Sequence, residues 1–500
     1  MLPLLLAVLA CSGAPPPTRP ALAPPRLAAE ALPSLQRWRT HLTDELMPFW
    51  SSPTALGSPS GNFPTFRCND GRAYDRAAPC ADFAAPPPWI AAELGRDYTR
   101  MKSRQTFVYG VAFHLTGEER YLEAARAGVA WLRAHAYERD GSAISYWEGD
   151  QPGPPRPQRT AQDLAYAQVG LAFYYYLTRD PEVLADLARL ERTVMTEYWQ
   201  PSSAPGGGML RWMLADGDTP GEAGRQELVA QLDQLNAYLL LVTPLLEDPQ
   251  LAATWRKDLL TLATVVKEQY FAPELGLFWG RLDAPEAKRL GGRHLDFGHS
   301  MKSAWMLYLT GQALEQPALT EFARPLIAPL LVRAAQPSGC WASGLRADGA
   351  LDRGSQWWVF AELDQAAATL AIREPTAAPY ADYLAGSYAC WLERFVDPVH
   401  HELWPWISPD WTPTQYADGG PPKAFHWKNG YHAAEHALVA MITTAGLTGQ
   451  PLDLYYAFAK EPSAPVQPYY FRGDLRAERA HPLPQHPELR GRRVEFVNLR

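Results

Sequence analysis

Thr116-Gly-Glu-Glu, Thr178-Arg-Asp-Pro, Glu247-Asp-Pro-Gln, Glu315-Gln-Pro, Glu374-Pro-Thr and Thr448-Gly-Gln-Pro are short turns spaced 59 to 74 residues apart in a strongly helical sequence. Between them lie long segments rich in glycine and aromatics: Asp140-Gly through Trp147, Gly206 through Trp212, Gly276 through Trp279, Cys340-Trp341 and Asp397-Pro through Trp404. One short turn and one long loop per period marks a repeated helical hairpin. The helices themselves read from apolar spacing, as in Leu122, Ala125, Val129, Leu132 and Ala136. Six hairpins predict an all-α fold, a closed double ring of inner and outer helices or (α/α)6 barrel, over residues 34–462. An open solenoid is the alternative; long loops falling at one end favour closure, with the loops around a single mouth. From residue 463 to 500 the pattern changes. Tyr469-Tyr-Phe471 and Arg493-Val-Glu-Phe-Val-Asn498 alternate as short strands do, which predicts a small C-terminal β-ribbon on the barrel.

The flanks carry different information. Residues 1–11, ending Val8-Leu9-Ala10-Cys11, read as a lipoprotein signal peptide, too short and broken by Pro3 to span a bilayer. Cys11 is then the lipidated residue, and the Pro- and Ala-rich stretch 12–33 a tether. The expected location is the bacterial envelope, at its periplasmic face or the cell surface, with the membrane reached only through the lipid. In such an oxidising compartment Cys68 and Cys80, either side of a Gly/Asp-containing loop, are expected to pair; Cys340 and Cys390 read as buried thiols. A net charge of −8 without a basic block excludes nucleic acid as a partner. The chain is expected to act as a monomer or homodimer.

Each helix leading from a long loop into a short turn should be an inner one. Counting back from the turns, Arg104, Asp163, Asp233, His299, Trp358 and His432 lie 12 to 16 residues away. At about 1.5 Å of rise per residue they stand within about one turn of a common level. That level is at the N-terminal ends of the inner helices, where the macrodipoles favour oxyanions and hydroxyl oxygens.

Three segments carry a resemblance: Phe297-Gly-His-Ser-Met-Lys-Ser-Ala-Trp-Met306, Gln356-Trp-Trp-Val-Phe-Ala-Glu362 and Trp427-Lys-Asn-Gly-Tyr-His432. They resemble the N-acylglucosamine 2-epimerase family, which includes cellobiose 2-epimerases and mannose isomerases, and the likeness runs over roughly residues 90 to 460. It implies an (α/α)6 barrel, a small carbohydrate substrate and no cofactor or metal. It further implies that His299 and His432 exchange a proton at the carbon beside a sugar carbonyl, with Arg104 near the sugar oxygens. Histidine's ordinary pKa of about 6.5 suits both transfers, and an arginine stabilises an enediolate without losing its charge. Trp357 or Trp358 would hold the sugar ring, one of the two being core, since adjacent helical positions diverge by about 100°. Glu362 would accept hydroxyl hydrogen bonds, and Tyr431 belongs to the same substrate-binding set.

The sequence departs from the family pattern on two helices. Lys302 stands where a glutamate usually follows the first histidine by three residues, and Asp233 and Asn236 replace a histidine and glutamate on the third inner helix. The exchange of charge predicts that Asp233 and Lys302 interact. Three other readings remain: a zinc site on His432-Ala-Ala-Glu-His436, a glycoside hydrolase or lyase using Asp163, Asp233 or Glu362, and a non-catalytic glycan-binding lipoprotein.

Overall fold

The computed structural model describes residues 31–204, 206–410 and 422–500. The leader, Cys11 and most of the tether lie outside them. No helix among the described residues is long and apolar enough to cross a membrane.

Six inner helices form the ring: Thr99–Thr116, Ala161–Thr178, Leu228–Gln234 (extended through a wider turn, Leu235–Leu239, to Leu240–Val242), Phe297–Ala313, Trp357–Arg373 and Tyr431–Thr448. Each packs on the next, and the sixth packs on the first, so the ring closes. Their residues are buried on every face, as expected of helices with neighbours on all sides. Outer helices such as Glu119–Trp131 instead bury one stripe, Tyr121, Leu122, Ala125 and Val129. Inner helices approach closely where glycine permits it. A Cβ on Gly170 would stand 2.3 Å from the Ser103 carbonyl oxygen, and the Gly170 N–H donates to Ser103 Oγ at 2.9 Å. Left-handed Gly117 and Gly449 end the first and sixth inner helices.

Three expectations need correction. The turn after Thr448 does not lead into an outer helix. The sixth outer position is filled from the other end of the chain, by Leu35–Thr40, a wide turn His41–Leu46 and Met47–Trp50, packed on Tyr431–Thr448. The C-terminal sheet has three antiparallel strands, with Arg490–Val497 between Leu452–Phe458 and Asp474–Ala480. Its first strand thus begins before residue 463, hidden because it is apolar on both faces, and Tyr469–Phe471 forms a turn rather than a strand. There Tyr469 adopts φ +57° and its hydroxyl donates to the buried Glu435 at 2.7 Å, so this segment plugs the barrel floor.

The third correction concerns cysteines. Besides Cys68–Cys80, Cys340 and Cys390 form a disulfide, joining the loop after the fourth outer helix to the end of the fifth. The sequence separations are 12 and 50 residues. Chain entropy then assigns about 3 kcal/mol to the first and about 4 kcal/mol to the second. Cys340→Ser/Cys390→Ser should therefore lower the denaturant midpoint more than Cys68→Ser/Cys80→Ser, with both doubles compared at equal protein concentration.

Candidate active site

At the N-terminal ends of the inner helices lies a cavity of about 220 Å³. Of the six residues expected at one level, Arg104, Asp233, His299, Trp358 and His432 line it. Asp163 does not; Arg100 draws it aside into a 2.5 Å ion pair.

His299 is positioned by the start of its own helix. Asp296 caps that helix, its Oδ1 accepting the His299 backbone N–H at 2.8 Å while Oδ2 lies 2.7 Å from His299 Nδ1. Burial works against the Asp296 charge, but the His299 ring and N–H outweigh it and hold the carboxyl below its usual range. An ionised carboxylate only accepts, so Nδ1 carries the proton and Nε2 is left as the ring's free basic nitrogen. Asp296 was missed in the sequence, although an Asp three residues before a helix-borne histidine is a cap signal.

His432, near the start of the sixth inner helix, is 6% exposed. Burial, aided by the charges of Arg104, Lys302 and Lys428, pulls its pKa well below the ordinary value, so the ring is neutral at neutral pH. Its Nδ1 is 3.7 Å from Glu362 Oε1, too far for a direct hydrogen bond. The two tryptophans stand beside it: ring centroids lie 6.2 Å away for Trp357 and 6.4 Å for Trp358, and Trp358 is 4.6 Å from His299. Both border the cavity, against the expectation that one is core only. Trp357 is the first residue of its helix, so its indole reaches round the helix end.

Arg104 lies over the Tyr166 ring, 3.7 Å from its centroid, and donates to the Trp427 carbonyl at 3.0 Å. It forms no ion pair with Asp163 or Asp233, and its buried Nε meets no acceptor among the described residues. The guanidinium is therefore fixed yet electrostatically unspent. Asp233 belongs to Lys302 instead: Nζ to Oδ1 is 2.7 Å, as the charge exchange predicts. Tyr166 hydroxyl donates to the same oxygen at 3.0 Å and Gln162 to the other at 2.8 Å. Burial opposes both charges, but each partner stabilises the other, lowering the Asp233 pKa and raising that of Lys302.

Two expected substrate contacts lie elsewhere. Glu362 is fully buried behind His432 rather than on the cavity wall. Tyr431 packs on Phe107, and its hydroxyl accepts from Asn236 at 2.8 Å. Gln162, Tyr166, Arg293, His294 and Trp427 complete the lining. His436, the second histidine of the zinc-like string, meets Asp364 at 2.8 Å and stacks on Trp391 of the outer layer.

No protein-family model matches the chain. A cellobiose 2-epimerase of Bacteroides fragilis is 22% identical over 285 residues, covering 52% of this chain and 67% of that protein. The solved cellobiose 2-epimerase of Spirochaeta thermophila superposes with a TM-score of 0.64 at 19% identity, covering 83% of this chain and 97% of the other. A D-mannose isomerase gives a TM-score of 0.65 at 15% identity, covering 82% and 99%. At these identities the likeness establishes the shared (α/α)6 barrel fold. The same barrel also carries hydrolases: an α-1,6-mannanase of Salegentibacter matches with a TM-score of 0.53 at 13% identity, covering 83% and 100%. The Asp233–Lys302 pair joins two of the positions at which the sequence departs from the pattern it resembles.

Proposed function

We propose that this chain is a carbohydrate epimerase or aldose–ketose isomerase that moves a proton at the carbon beside a sugar carbonyl. The observation that carries this reading is the pair of imidazoles, His299 and His432, bordering one cavity with the unpaired guanidinium of Arg104. With the sugar open, one imidazole removes the hydrogen from the carbon next to the carbonyl. The electron pair moves onto the carbonyl oxygen, and Arg104 stabilises the resulting enediolate. A proton returned to the same carbon on the other face gives the epimer; one returned to the former carbonyl carbon, with the neighbouring hydroxyl proton moving to the former carbonyl oxygen, gives the isomer. Trp357 and Trp358 supply aromatic walls, and neither metal nor nucleotide enters the scheme.

The hydrolase reading is weaker here. Among the described lining residues Asp233 is the sole carboxylate, and three donors already engage it. Glycoside hydrolysis uses two carboxyl groups flanking the bond. Export and lipidation at Cys11 belong to the same proposal, supported by two disulfides, which persist in oxidising compartments.

The test is incubation with a panel of aldoses, ketoses and reducing disaccharides in deuterated water. Deuterium entering beside the carbonyl, with epimer or isomer formed, is the expected result. Saturable binding with no exchange on any sugar would make this a glycan-binding protein instead, and shortening of oligosaccharides would make it a hydrolase.

A further inference from the structure

At the cavity's inner end and over the next two helical turns lie buried polar atoms without a direct hydrogen bond of good geometry among the described residues. Both carboxyl oxygens of Glu362, Oε2 of Glu435, the amide oxygen and nitrogen of Gln365, Oδ1 of Asn236 and Nδ1 of His432 are among them. Glu362 is 0% exposed and Glu435 1%. The other oxygen of Glu435 accepts from Tyr469. Two buried carboxyls with open oxygens do not both stay ionised; the low-energy state holds a proton on one of them.

We propose that Glu362 and Glu435 hold one proton between them, and that Glu362 uses it to fix His432 as the hydrogen donor of the histidine pair, leaving His299 as the acceptor. This rests on the proton-transfer reading above and deepens it. Asp296 leaves His299 Nε2 bare. A protonated Glu362 does the opposite to His432: its O–H donates to Nδ1, which places the ring proton on Nε2. A small shift of either side chain closes the 3.7 Å gap. As the Nε2 proton passes to the substrate, the Glu362 proton moves to Nδ1, so His432 stays neutral throughout and Glu362 becomes the carboxylate. Before the next forward turnover His299 gives its extra proton to solvent water and the Glu362–His432 pair takes one up, which restores both groups. Glu362 and Glu435 are thus positioning residues, acting through His432.

The charged and titratable neighbours pull both ways, and the protonated state prevails. Burial pushes the Glu362 carboxyl up to about 8 against the pull of Lys302 on the fourth inner helix, while Glu435 on the sixth, Asp233 on the third and Asp296 at the fourth helix cap add to the rise. Burial raises the Glu435 carboxyl as well, opposed by its bond from Tyr469 and by Lys302. Tyr431 and Tyr470, the remaining titratable groups near Glu362, are held far on the neutral side by burial.

Two measurements test the assignment. Nitrogen-15 spectra of the ring-labelled holo-length protein, with the His432 signal identified by its loss in His432→Gln, are expected to show the Nε2–H tautomer below pH 8. They should show conversion toward Nδ1–H above it. This readout needs no substrate, so it stands even if no sugar is turned over. In the exchange assay, the wild-type rate is expected to fall above about pH 8. Glu435→Gln, which removes the like charge, should move that alkaline limb to lower pH. Glu362→Gln, whose amide N–H donates at every pH but cannot pass its proton on, should hold the Nε2–H tautomer at every pH and lose the limb while exchange slows. An Nδ1–H tautomer at neutral pH, or a limb that neither variant moves, would overturn the proposal.

Discussion

Deuterium exchange at the sugar carbon is expected to fall by about 100- to 10,000-fold in His299→Ala and in His432→Ala, the range for losing a positioned acid or base. The two rings reach the same cavity from different helices, so neither replaces the other on its face of the substrate. His299 is held by Asp296 through both backbone and ring, which makes Asp296→Asn informative. That variant keeps the helix cap but no longer fixes the tautomer, and a smaller loss than in His299→Ala is expected. The double variant His299→Ala/His432→Ala should lose little more than the worse single one, because both act on one proton pathway and such losses do not add. Exchange at wild-type rate in either alanine variant, with circular dichroism unchanged, would remove that histidine from the mechanism.

The second large effect concerns stability. Lys302→Met should destabilise the protein by about 3–5 kcal/mol, because it leaves the buried Asp233 carboxylate without its counter-charge. Lys302 is 3% exposed and Asp233 2%, so water does not substitute for the lost ammonium. Pairing the change with Asp233→Leu should recover most of the loss, since a buried ion pair is often no more stabilising than apolar residues of similar volume. Denaturant midpoints of the two singles and the double form the cycle that checks it. If Lys302→Met alone matched the wild type, the pair would be well hydrated in solution. Retained exchange activity in the apolar double would show that the pair supports the cavity floor without taking part in chemistry.

Much of this site was legible because helix geometry turns sequence spacing into depth. His299, Trp358 and His432 share a level since each begins a helix of similar length ending in a similar turn. The Asp233–Lys302 contact was legible as an exchange of charge between neighbouring helices. What spacing does not encode is direction around the helix and competition for partners. Asp163 sits at the right depth yet pairs with Arg100, and Glu362 points beneath His432 rather than at the cavity. Cys340–Cys390 was hidden because 50 residues of chain, including an outer helix and an inner one, separate the partners. The sixth outer helix was hidden for the same reason on a larger scale: its partner lies at the opposite end of the sequence.

That last arrangement sets a schedule for synthesis. Trp38 and Trp50 on the N-terminal helix are among the first large apolar side chains made in the described chain, and both end fully covered. Their cover comes last: Trp38 lies 5.6 Å from the His436 ring, and Trp50 donates to Glu402 at 2.5 Å and abuts Gly430. The opening helix meets the first inner helix early, the Tyr109 hydroxyl donating to the Trp50 carbonyl at 2.6 Å, whereas its face toward the sixth inner helix waits nearly 400 residues. At roughly 5–20 residues per second that is on the order of 20 to 80 seconds with an apolar stripe uncovered. The nascent chain thus carries one face of Trp38 uncovered until ring closure brings His436 against it.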